Sequence, residues 1–479
     1  MSAAARALAR NAAHARAVGC ALATLVAAGV VTGLGACGDT AIVLRIESDL
    51  VVPDALDAVC LSVAALDAQG DEGTFAARYP LARLPETLTV HTDGYESLLV
   101  RARGWHAGLE VAGATVRIDV EANSVLEASV AVRACQNARP GELAVVGTLP
   151  APAAEAVHVV LHGWRGSVVV VAGADDVTAF SPASDGRVEL LPPPPQALAG
   201  ATALVAIDID GDCDDDLLAL GAPVLLLEHR ADGTFVVLED VLPEGLAAVL
   251  AAVADVDADG DLDFAVAAGA LLQVLENDGA GRFAVAPTAL PDDVGNDISA
   301  LAFGDVTGDG YADLVVGHGL DSDEPMHLLA ADPRDGRFSL VPALPENPRK
   351  VDGFALADLD GDGDVDLAAV FPVTPLLLFV NRGDGRLEDR SFLRLPDPTL
   401  RATSVSSGDL DGDCRPELVV RNIDGGGVTL LRGTASGALL QGELPAGVAG
   451  NPIIVDVDGD GLRDLFVVGA GEPTWLAPG

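Results

Sequence analysis

The stretch Asp358-Leu-Asp-Gly-Asp-Gly-Asp-Val-Asp366-Leu-Ala-Ala-Val370 decides the fold of this chain. Carboxylates fall at positions 1, 3, 5, 7 and 9 of a Gly-rich turn, and an apolar run follows at once. Alternate side chains on a turning backbone can bring their oxygens around one hard cation, for which calcium takes six to eight oxygen ligands in flexible geometry. The same pattern restarts at Asp208, Asp255, Asp305, Asp409 and Asp456, so the first aspartates stand 47, 50, 53, 51 and 47 residues apart. A period near fifty residues marks a repeat architecture.

One unit reads strand, acidic loop, strand, hairpin, strand. Around Asp305 the expected strands are 298–303, 314–317, 327–330 and 337–341. Asp-Gly turns recur at the matching place, at Asp185-Gly186, Asp232-Gly233, Asp335-Gly336 and Asp384-Gly385, and supply the positive φ that hairpins need. Four strands per unit fits the blade of a β-propeller. The strands after the loops are almost wholly apolar, as in Leu217–Leu220 and Leu465–Val468, which is expected of strands covered on both faces. A degenerate unit precedes the six, with Val159 at position 1, Ser167 at position 9 and no carboxylate between, so no metal is expected there. The last unit is one strand short. Residues 143–149 are expected to supply that strand and close the ring, removing exposed edges.

The chain of 479 residues carries 72 acidic and 28 basic residues, a net charge of −44. That balance excludes a nucleic-acid partner, which needs a basic footprint. Residues 1–36 read as a signal peptide: Arg6, Arg10 and Arg16 precede an apolar run from Val18 to Val31, and Leu34-Gly35-Ala36-Cys37 follows. That tetrapeptide resembles the lipobox of bacterial lipoproteins, which implies cleavage before Cys37 and a lipid on its sulfur. Residues 37–40 are then a lipidated end and linker. Residues 41–139 alternate short apolar runs with turns and read as a small β-sandwich. Cys60 and Cys135 within this one exported domain suggest a disulfide. A Cys213–Cys414 bridge is disfavoured because four repeat steps separate the two.

Residues 141–479 resemble the FG-GAP or VCBS repeats, whose best-known members are the integrin α-subunit propellers. The resemblance rests on six copies of Asp-x-Asp-x-Asp-Gly-x-x-Asp-Leu or a close variant. It implies an all-β chain, a seven-bladed β-propeller behind the sandwich, with about six Ca2+ sites. It also implies side-chain ligands at positions 1, 3, 5 and 9 and a backbone carbonyl at position 7. The implied side-chain ligands are Asp208, Asp210, Asp212 and Asp216; Asp255, Asp257, Asp259 and Asp263; Asp305, Thr307, Asp309 and Asp313; Asp358, Asp360, Asp362 and Asp366; Asp409, Asp411, Asp413 and Glu417; and Asp456, Asp458, Asp460 and Asp464. Position 7 holds Asp214, Asp261, Tyr311, Asp364, Arg415 and Leu462, and a ligand position that accepts Arg or Leu must use its backbone. Thr307 should weaken its loop. Cys213 and Cys414 stand at position 6, where a positive φ is expected at a cost of ~1 kcal/mol for a non-Gly residue. EF-hands are excluded because position 12 is an apolar strand residue in every loop, such as Val316 or Val420.

These features lead to a non-enzymatic expectation: a calcium-stabilised, membrane-anchored binding or adhesion module of the bacterial envelope, on the outer membrane or cell surface, recognising a protein or glycan. The alternatives are a propeller-scaffold hydrolase or lyase, in which His162 and His318 near strand ends face a channel, and a scaffold for an envelope complex.

Overall fold

The computed structural model describes residues 23–25, 41–48, 58–66, 72–80, 87–91, 96–106, 109–120, 125–132, 143–148, 157–163 and 166–478 without 184, 231, 287–289, 292–293, 333–336, 343, 345–349, 384, 414, 459–462 and 469–472. Among them, seven four-stranded antiparallel sheets follow the repeat. Sheet 1 holds Val157–Gly163, Gly166–Ala172, Val177–Pro182 and Val188–Leu190. Sheet 2 holds Ala203–Ile207, Asp216–Leu220, Leu225–His229 and Phe235–Val237, and sheet 3 holds Leu250–Ala254, Asp263–Ala268, Leu271–Asn277 and Phe283–Val285. Sheet 4 comprises Ile298–Gly304, Asp313–His318, His327–Asp332 and Arg337–Val341. Sheet 5 comprises Gly353–Ala357, Asp366–Val370, Leu377–Asn381 and Leu387–Asp389. Sheet 6 comprises Ala402–Gly408, Glu417–Asn422, Val428–Arg432 and Leu440–Gln441.

Sheet 7 closes the ring as the missing strand requires. Asn451–Val455, Asp464–Val468 and Thr474–Pro478 are completed by Leu143–Thr148, which pairs antiparallel with Thr474–Pro478. The chain's N-terminal side thus zips its C-terminal sheet.

Each pair of neighbouring sheets shares one apolar core. Leu217, Ala219 and Leu227 of sheet 2 pack with Leu161, Val170 and Ala179 of sheet 1. The other face of the same second strand, Leu218 and Leu220, packs with Phe264 and Val266 of sheet 3. A strand used on both faces loses its polar alternation, and Asp216–Leu220, Asp366–Val370 and Asp464–Val468 are buried throughout. The series continues round to sheet 7, where Phe466, Val468 and Trp475 pack against Val160, Val169 and Val171 of sheet 1. Ser167 Oγ of sheet 1 also donates to the Asp456 carbonyl across this seam at 2.9 Å. The degenerate first unit has lost its acidic loop: Gly163 pairs directly with Gly166.

The N-terminal part forms two more four-stranded sheets. One orders Ala23–Leu25, Thr87–His91, Ala41–Ser48 and Val125–Val132; the other orders Glu72–Pro80, Ala58–Leu66, Ser97–His106 and Leu109–Asp119. Ile42, Leu44 and Val130 on one, and Leu61, Val63, Leu98 and Val100 on the other, are nearly fully buried. Apart from Ala23–Leu25, the expected signal segment, with Cys37, lies outside the described residues. No helix among the described residues is long and apolar enough to cross a membrane.

The Cys60–Cys135 expectation is corrected. Cys60 is bonded to Cys213, 153 residues away, with Cα atoms 5.7 Å apart; Cys135 lies outside the described residues. Strand alternation explains the change. Val59, Leu61 and Val63 point into the sandwich, so Cys60 points out of it, yet it is only 3% exposed. The propeller covers it. Arg103, directly opposite Cys60 on the next strand, reaches the same loop.

Candidate metal centres

Each acidic loop joins the first strand of a sheet to the second, and two of its carboxylates fold the backbone around themselves. The position 1 carboxylate accepts amide N–H groups from positions 4 to 6. Asp358 Oδ1 takes Gly361 and Asp362 at 2.7 and 3.2 Å, and its Oδ2 takes Gly363 at 3.0 Å. Asp208, Asp255, Asp305 and Asp409 do the same in their own loops. The position 5 carboxylate accepts the position 7 N–H: Asp212 from Asp214, Asp259 from Asp261, Asp309 from Tyr311, Asp362 from Asp364 and Asp413 from Arg415. These side-chain turns wind the loop tightly.

Position 9 is a staple. Asp366 accepts Leu359 N at 3.0 Å and, with its other oxygen, Asn381 N of the third strand at 2.8 Å. Asp216, Asp263 and Asp313 repeat both bonds. Glu417 and Asp464 repeat the first, to Leu410 N and Val457 N. The longer Glu417 therefore reaches, as its chemistry allowed.

Position 3 is different. Asp360 Oδ1 and Asp411 Oδ1 are buried and have no hydrogen-bond partner. Their loops bring position 1, 3 and 9 oxygens within 4.8 Å of one another, in the sets Asp358, Asp360, Asp366 and Asp409, Asp411, Glu417; Asp208, Asp210 and Asp216 converge likewise. In the loop from Asp255 the converging set is Asp255, Asp257 and Asp259. Asp460 and Leu462 lie outside the described residues.

Crowded carboxylates resist ionisation. Burial pushes the Asp263 carboxyl up to about 8 and those of Asp313 and Asp366 to about 7. Burial, then the charges of Asp411 and Asp409, pushes Glu417 up to about 8. Burial and the neighbouring Asp210 raise Asp212 well above the carboxylate range. Oxygens that gather, with buried lone pairs unused and protons held abnormally tightly, form a donor set suited to a hard divalent cation.

Position 7 side chains turn elsewhere, as a backbone role requires. Tyr311 packs on the core between sheets 3 and 4, whereas Arg415 folds back on its own loop, its Nη1 bonding Oδ2 of the position 5 carboxylate Asp413. Asp214 is the exception. It is buried against His229, its Oδ1 2.7 Å from Nδ1, in a loop unlike the others. There Cys213 stands at position 6 with φ of 68°, the positive value expected, and is held by Cys60. Arg103 of the sandwich donates to the Cys213 carbonyl at 3.2 Å and pairs with Asp215 at 3.3 Å. Burial alone would raise the Asp215 carboxyl, but Arg103 and His162 hold it below its usual range. His162, a candidate channel residue in sequence, is thus committed to Asp215, with Nδ1 3.1 Å from Oδ2. His318 is buried at the end of its strand, its Nδ1 2.7 Å from the Asn296 carbonyl.

Sequence reasoning missed the partners that surround the loops. Asn277 Nδ2 donates to the carbonyls of Ile209, in the preceding loop, and Leu262, in its own; Asn381 does the same to Val306 and Val365. Both asparagines open an Asn-x-Gly turn at the same register of the repeat, a signal present in the sequence. Arg394 pairs with Asp360 at 3.1 Å and Arg432 with Asp411 at 3.0 Å. A cavity of about 540 Å³ lies beside the fourth loop, lined by Asp360, Asp362, Arg382, Arg390 and Arg394 among others.

The family model for FG-GAP-like repeats matches residues 255–316, 358–420 and 409–467. Each match runs from the first aspartate of one loop to the buried strand after the next. The chain carries FG-GAP-like repeats over these residues. Multiple epidermal growth factor-like domains protein 8 from Rattus norvegicus and from Mus musculus are each 36% identical to it over 114 residues. That similarity covers 20% of this chain and spans 4% of the length of those curated relatives. Among solved structures, the chain is similar to an Agrocybe aegerita lectin that recognises non-reducing terminal N-acetylglucosamine, with 17% identity and a TM-score of 0.45 over 60% of this chain and 79% of that one.

Proposed function

We propose that this protein with FG-GAP-like repeats is an exported, lipid-anchored binding module whose propeller is held rigid by calcium. The observation that carries the metal reading is the pair of buried, unpartnered oxygens on Asp360 and Asp411, each set among converging carboxylates. A bound divalent cation supplies the partner those two Oδ1 atoms lack, the other oxygen of each carboxylate being held by Arg394 or Arg432. Positions 1, 3, 5 and 9 would hold it with side-chain oxygen and position 7 with its carbonyl. Calcium fits better than magnesium, because the sets are large, all-oxygen and built on a flexible turn.

The role is binding rather than catalysis. The repeated chemistry is metal-type and serves the turns, leaving the loops and the recess beside Arg382, Arg390 and Arg394 as the surface for a protein or glycan. The Cys60–Cys213 bridge accords with an oxidising compartment. Lipid on Cys37 would tether the module to the bacterial envelope, at the outer membrane or cell surface. A glycan array and a pull-down from envelope extract, each run with calcium and with chelator, test the binding role. Calcium-dependent capture of a glycan or protein is expected; turnover of a substrate without stable capture would refute it. Labelling with a radioactive fatty acid tests the anchor, which Cys37→Ser should abolish.

A further inference from the structure

Sheet 4 carries its acidic loop at one end and a different chemistry at the other. His318 closes the strand that Asp313 opens, five residues or roughly 17 Å away. On the adjoining strand His327 lies opposite Val316, so His318 is its diagonal neighbour on the same face. The two rings meet edge to face, centroids 5.1 Å apart.

The hydrogen bonding of these rings is not that of packing residues. His318 is 1% exposed, and its Nδ1 lies 2.7 Å from the Asn296 carbonyl. A carbonyl only accepts, so Nδ1 carries the proton and Nε2 presents a bare lone pair. That Nε2 is buried with no partner. Leaving a buried acceptor unmet costs about 1–3 kcal/mol, which a purely apolar side chain would avoid. An imidazole oriented by a backbone carbonyl, with its other nitrogen free, is how metal-ligating histidines are held. A carboxylate stands beside the pair: Glu324 Oε2 is 4.0 Å from His327 Nε2. Gly295 lets these groups crowd together, since a Cβ there would come 2.7 Å from His318 Cε1 and 3.0 Å from Glu324 Cγ.

We propose that His318, His327 and Glu324 form a second kind of metal site, for a borderline divalent cation of the zinc class. Two imidazoles and one carboxylate suit zinc, whereas the all-oxygen loops suit calcium. Donors around tetrahedral zinc lie ~3.3 Å apart, so the half-exposed Glu324 needs only a small rotation. Three protein ligands leave a fourth position open to water on the exposed Glu324 side.

The probe is Co2+ added to untagged full-chain protein already saturated with calcium. One equivalent should give the intense visible absorption of tetrahedral cobalt, and Zn2+ should displace it. His318→Gln and His327→Gln should each abolish the band, and the solvent-side Glu324→Gln, which leaves the buried strands intact, should weaken zinc binding by at least about tenfold. The calcium-bound melting temperature of each variant reports its folding. No tetrahedral band in the wild type, or a band that survives His327→Gln and Glu324→Gln, would overturn the site.

Discussion

Replacing Asp366 with alanine separates two jobs that the loop carboxylates share. Asp366 is fully buried and accepts two backbone N–H groups, from Leu359 and Asn381. Removing it strands both donors, at about 1–3 kcal/mol each, so the metal-free protein should lose roughly 2–6 kcal/mol. Losing one ion adds about 2.7 kcal/mol when calcium stands at a hundred times its dissociation constant. Asp360→Asn makes the contrast. Its Oδ1 has no hydrogen-bond partner to lose, the asparagine side-chain oxygen can still accept from Arg394, which pairs with Oδ2 at 3.1 Å, and the like charges of Asp362 and Asp358 sit close by. The metal-free melt should therefore hold or rise slightly, while the calcium-induced increment shrinks. Melting curves in chelator and in excess calcium read both, at roughly 1–2 °C per kcal/mol for a propeller of this size. Equal losses for the two variants in chelator, or an undiminished calcium increment in Asp360→Asn, would refute the division of labour.

Calcium binding should release protons near neutral pH. Asp263 and Glu417, pushed up to about 8, and Asp313 and Asp366, at about 7, hold protons in the folded metal-free protein that the unfolded chain gives up near pH 4. Metal-free stability should thus be fullest below pH 4 and decline as pH rises towards 8, and calcium affinity should fall from pH 8 to pH 6. Calorimetry in two buffers of different ionisation enthalpy checks this, and buffer-independent heats would contradict it. Peptide mapping without reductant should recover Cys60 joined to Cys213, and Cys60→Ala should cost about 2–5 kcal/mol of stability by freeing that long loop. Asn277→Ala should destabilise by about 1–3 kcal/mol, because it removes the donor shared by Ile209 and Leu262, yet leave the number of calcium ions unchanged.

Much of the ring was legible because its causes are local. The fifty-residue period, the apolar strand after each loop and the absence of a carboxylate between Val159 and Ser167 all lie in the sequence, and so does the strand 143–148 that completes sheet 7. Other features depend on partners far along the chain. Alternation around Val59, Leu61 and Val63 shows that Cys60 faces outward, but not that the loop holding Cys213 lies beneath it. The second job of position 9 is hidden because its partners are backbone amides, which no residue letter records. The match of His318 to His327 depends on strand register, and neither has the spacing of a metal motif.

The most direct test is calorimetric titration of calcium into chelator-stripped protein, with melting followed in parallel. Acidic turns built around cations should take up about six ions per chain and melt markedly higher once filled. No heat of binding and an unmoved melting curve would show that the turns stand without metal.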